Sequence, residues 1–92
     1  GSASLAINGT AVGEPIHIWG AGFADGDTIL IVAVNASSGG EDLVLGSGKA
    51  NSSGAFLAEA NNSLSAGVYT SRATGESGRV ATAPLVILET TK

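Results

Sequence analysis

The chain has 92 residues, 14 of them glycine, with no cysteine, no methionine and a net charge of −4. No disulfide can staple so small a domain, which leaves packing, strand pairing or association with neighbours to hold it. Its basic residues are Lys49, Arg72, Arg79 and Lys92 alone, too few for a phosphate-binding surface, so nucleic acid is not an expected partner.

In chain order, Gly1 and Ser2 are set aside as a processing or cloning remnant, and a first strand is expected over Ser4–Asn8. "NGTAVGE" turns the chain into a second, Pro15–Gly20. "GFADGD" leads to Thr28–Asn35, "NASSGGE" to Asp42–Lys49 and "ANSSG" to Ala55–Ala60. "NNSLSAG" and "GESG" precede Val68–Thr74 and Val80–Glu89. Within each segment apolar residues alternate with period two or form short blocks, and the separators are Gly, Asn, Ser and Asp turn chemistry. Residues 1–92 therefore read as one all-β domain, a seven-stranded antiparallel β-sandwich. No apolar run approaches the roughly 20 residues that span a bilayer, so the chain is not expected to cross a membrane.

Three segments in order, "IHIWGAGFADGDTILI", "NSSGAF" and "LSAGVY", resemble the Ig-like modules repeated in bacterial and archaeal surface proteins. Ala24 departs from the Pro common in that family, and the final strand is longer and more apolar than such modules need. The resemblance implies an Ig-like sandwich at the cell surface or outside the cell, without cofactor. It also implies that Ile16, Ile18, Ile29, Ile31 and Ala33 point inward with Phe23, Phe56 and Tyr69. Some Ig-like pilus modules carry a Lys–Asn cross-link, for which Lys49, Asn8 or Asn35, and Glu59 supply the residue types.

"GAGFADGD" looks at first like a phosphate loop. Such a loop must feed a helix whose free N–H groups bind the anion, and the β-branched run "DTILIVAV" makes the next element a strand. The glycines instead permit turns on either side of Phe23, which plugs the end of the sandwich. Asp25 and Asp27 are candidates for calcium, but a hard cation needs six to eight oxygens, and solvated turn carboxylates are the preferred reading. His17 is the only histidine, with no nucleophile motif to join it, so no catalytic residues and no enzyme are expected.

Two features bear on function. Asn-x-Ser/Thr occurs at Asn8, Asn35, Asn51 and Asn61, the pattern of a surface glycoprotein, although Ser-rich turns also generate it. The strand faces are also too apolar. With Ile16 and Ile18 inward, His17 and Trp19 face outward from one sheet. Leu30, Val32 and Val34 face outward from the other, and the last strand alternates Val86 and Leu88 with apolar neighbours. A solvated face should be polar, so these residues are interface candidates, with another copy or a neighbouring domain as partner. The expected function is a non-enzymatic extracellular module, a subunit or repeat of a surface filament, stalk, adhesin or surface layer. The alternative is a carbohydrate- or cell-surface-binding adhesin module using Trp19 and His17, and a third reading is a virion or phage decoration domain.

Overall fold

The computed structural model describes residues 2–61 and 63–89, so Gly1 lies outside the described residues. Eight strands follow one another: β1 (Ser4–Ile7), β2 (Thr10–Ala11), β3 (Ile16–Ala21), β4 (Thr28–Ala33), β5 (Leu43–Lys49), β6 (Phe56–Ala60), β7 (Gly67–Gly75) and β8 (Val80–Leu88). They form a three-stranded sheet, β1-β3-β6, and a five-stranded sheet, β2-β8-β7-β4-β5. Among the described residues no helix is long and apolar enough to cross a membrane.

Seven strands match the period-two segments of the sequence, and β2 corrects the count. Its two residues pair in parallel with Ile87 and Leu88, so the sandwich is not wholly antiparallel. A two-residue bridge is too short to show any alternation. It nevertheless carries the chain from the three-stranded sheet at β1 to the margin of the five-stranded one.

Between the sheets lie Ile16 and Ile18 from β3, Ile29, Ile31 and Ala33 from β4, and Leu85 and Ile87 from β8, all essentially sealed from solvent. Phe23 and Phe56 meet edge to face with ring centroids 5.5 Å apart. Two strand glycines admit the Phe56 ring: a Cβ at Gly20 would overlap it, and one at Gly48 would sit 2.9 Å from its Cδ1. Gly20 therefore serves close packing inside β3, not the turn that the motif suggested. Tyr69 is half-buried against the core, and its hydroxyl donates to the Ser65 carbonyl at 2.8 Å, pinning the loop before β7.

Candidate functional site

The glycine loop is a structural lock. Gly22 and Gly26 take the positive φ values of 83° and 76° that their turns require. The loop is then stitched to two neighbours: Phe23 N–H donates to Gly54 O at 3.0 Å, and Arg79 donates to Gly22 O at 2.7 Å. Asp25 is exposed, but Asp27 is buried, which corrects the reading of both as solvated carboxylates. The Asp27 carboxylate accepts from the Ser77 hydroxyl, so it ties β4 to the turn between β7 and β8. Among the described residues no three His, Asp or Glu side chains gather where a metal could be held.

The cross-link residue types do not assemble either. Lys49 on β5 and Glu59 on β6 are exposed and belong to different sheets. Glu59 instead stands across from His17, with Oε2 at 3.7 Å from Nε2.

The four sequon asparagines, Asn8, Asn35, Asn51 and Asn61, are all exposed. Two have folding roles of their own. Asn35 occupies the left-handed region at φ 56°, which asparagine tolerates better than most residues. The Asn51 side-chain oxygen accepts from Ser53 N–H at 2.8 Å and Ala55 N–H at 3.1 Å, organising the turn into β6.

The interface candidates divide between two opposite surfaces. On the five-stranded sheet, cross-strand register sets Ser47, Leu30, Thr74 and Val80 in one row and Val44, Val32, Arg72 and Thr82 in the next. Val68 and Val86 form a further pair, and Leu88 ends the strand beside Ala11. Leu30 is 46% exposed and Val68 76%, and Val44, Val80 and Leu88 are exposed as well. Within β4, β7 and β8 the only charged residue is Arg72, already bonded to the Asp42 carboxylate. The Asn35 amide first, and then the Arg72 guanidinium, hold the Asp42 carboxyl below the usual carboxylate range.

Val32 departs from the expected exposure. It belongs to the outward row but is only 5% exposed, with Val44 on one side and Arg72 on the other. The Arg72 side chain reaches Asp42 across β4, and that bridge covers Val32. Val34 and Val86 are half-buried.

The three-stranded sheet presents a smaller surface. Ala6, Trp19 and Leu57 form its central row, with Trp19 41% and Leu57 70% exposed. Shallow depressions flank the indole, one bounded by His17, Leu57 and Glu59 and the other by Ser4 and Ala6. The interface residues read from the sequence omit Val44, Leu57, Val68 and Val80, yet Leu57 and Val68 each adjoin an aromatic placed inward, Phe56 and Tyr69. Period-two alternation from those aromatics points both residues outward.

No known family model matches the chain, and no curated protein sequence matches it.

Proposed function

We propose that this β-sandwich is a non-enzymatic extracellular structural module that associates with copies of itself through the outer face of its five-stranded sheet. One observation carries the reading: that face exposes Leu30, Val44, Val68, Val80 and Leu88, its central cation, Arg72, is already paired, and its other strand cation, Lys49, stands at the very end of β5. Between these side chains stand Thr70, Thr74 and Thr82 with no strand carboxylate, and a sheet face so rich in aliphatics and short of charge marks an association surface. Burying a large aliphatic side chain fully contributes roughly 1.5–3 kcal/mol, and these are partly buried already. Losing translational and rotational freedom costs about 4–15 kcal/mol, so one such face gives a weak pair and repetition gives a stable assembly.

The Ig-like assignment is part of the same proposal. It is supported by the first, second and fifth long strands sharing one sheet while the third, fourth, sixth and seventh share the other. The fourth lies beside the third, whereas a constant-type domain sets it on the first sheet. The Tyr69–Ser65 bond resembles the tyrosine corner of such folds. Sedimentation velocity over a concentration series tests the function: mass should rise with concentration in the wild type and stay monomeric in Leu30→Lys.

A second reading, a carbohydrate-binding adhesin module, is favoured by the depressions beside Trp19, where His17 and Glu59 offer hydrogen-bonding groups next to a stacking surface. Trp19 is the only tryptophan, so its fluorescence reports this directly. Titration with mono- and oligosaccharides that leaves the emission unchanged rejects it.

A further inference from the structure

The sheet margins are not equally closed. At β8, Val12 N–H donates to Leu88 O at 2.9 Å, so the main chain of Leu88, and by alternation of Pro84, turns away from β7. Pro84 thus sets its ring where an edge N–H would stand, a common device against strand addition. At β5 the register shifts opposite Ile31 and Val32, and Lys49 ends the strand. At β1 the outward side chains are Ser4 and Ala6, too small to anchor a partner. The fourth margin, β6, has no proline, bulge or lysine, and it presents Leu57 to solvent.

One bond shows which β6 groups are free. Asn8 N–H donates to His17 O at 3.1 Å, so the main chain of His17 and of Trp19 faces β1. By alternation Ile16, Ile18 and Gly20 face β6, where they pair with Ala60, Ala58 and Phe56. The N–H and C=O groups of Leu57 and Glu59 therefore point to the open edge. They have no partner among the described residues. Ala55, of the same parity, is already closed by Asn51, whose N–H donates to Ala55 O at 2.8 Å.

We infer that β6 pairs antiparallel with β6 of a second copy, about a two-fold axis through Ala58. That register sets Leu57 opposite Glu59 of the other copy, and the reverse, giving four main-chain hydrogen bonds. Competing registers are worse. A centre at Leu57 brings Glu59 opposite Ala55, whose main chain is closed. A centre at Glu59 sets two carboxylates directly opposite each other, which is destabilising. The choice of a second copy as occupant rests on the self-association reading above, whereas the register rests on the edge alone. So short a ladder buries far less than the roughly 1,200–2,000 Å² of a stable interface, and it acts together with the five-stranded face. A subunit with two different self-complementary contacts builds an open chain, not a closed pair.

The chain contains no cysteine, so a single introduced thiol reports the register cleanly. On the two-fold axis the two residues at position 58 form a non-hydrogen-bonded pair with Cα atoms about 4.5 Å apart, within disulfide reach. Under mild oxidation Ala58→Cys should form a covalent dimer at least tenfold faster than Leu57→Cys, and Glu59→Pro added to it should abolish the dimer. Leu30→Lys in both cysteine backgrounds separates the two contacts: with the five-stranded face disabled cross-linking slows overall, but position 58 keeps its tenfold preference over position 57, because the edge alone sets the register. In the unmodified protein, hydrogen exchange at the Leu57 and Glu59 amides should slow at least tenfold between dilute and concentrated samples. Equal cross-linking at positions 57 and 58, or exchange independent of concentration, overturns the pairing whatever the face does.

Discussion

The two outer surfaces of the sandwich leave different things open. The five-stranded sheet is wide and β-branched, its central cation Arg72 is paired with Asp42, and its margins carry Pro84 on one side and a register shift with Lys49 on the other. The three-stranded sheet is narrow, carries Trp19 with the His17–Glu59 pair, and ends at β6 without such protection. A sheet whose edges are blocked can join a neighbour only through its side-chain face. A sheet with a free edge can join one through its main chain. One small domain thus presents two kinds of open surface, and what separates them is the placement of a few residues.

The largest expected effect falls on what the two sheets share. Phe56→Ala empties the space between Gly20 of one sheet and Gly48 of the other, and it should cost about 3–5 kcal/mol in urea unfolding. A loss below about 1 kcal/mol would mean that the sheets do not depend on a common core. Next come two residues of β4 that point the same way. Val32→Lys places a charge beneath the Arg72–Asp42 bridge and should destabilise by more than about 2 kcal/mol. Leu30→Lys should stay within about 0.5 kcal/mol of the wild type, because its side chain already meets water. Equal effects at the two positions would erase the distinction between covered and open parts of this face.

A smaller gain is expected at Ser71, whose buried hydroxyl has no hydrogen-bond partner among the described residues. Ser71→Ala should stabilise by about 1 kcal/mol, read as a higher urea midpoint with an unchanged slope. The smallest effect concerns pH. The folded-state pKa of Asp42 is lowered, so its contribution is fully present above the ordinary value of 3.8 and fades as pH falls through the folded value. The stability difference between wild type and Asp42→Asn should therefore be constant at neutral pH and shrink in acid. A difference that grows on acidification has the wrong sign.

Much of the fold was legible because strand periodicity is a local signal. Placing Ile16, Ile18, Ile29 and Ile31 inward sufficed to expose Trp19 and Leu30, as the structure has them. The misses have physical reasons. β2 is a two-residue parallel bridge to a strand more than 70 positions later, and nothing local announces it. Asp27 read as a turn carboxylate because its partner, Ser77, lies 50 residues away. Val32 faces outward as its period dictates, but its cover is a salt bridge between β7 and the residue before β5, invisible to any alternation rule. The open edge of β6 was equally hidden, because which margin stays unpaired is a property of sheet order.

Joining of copies through the five-stranded face would show as a rise in mass at equilibrium. Sedimentation equilibrium of wild type and Leu30→Lys, both shown folded by circular dichroism, tests it most directly. The wild type should show an apparent mass above the 8.9 kDa monomer that climbs with concentration, and the variant should stay at the monomer mass. Two proteins that both sediment as monomers at the highest concentration reached, or that associate equally, would contradict it.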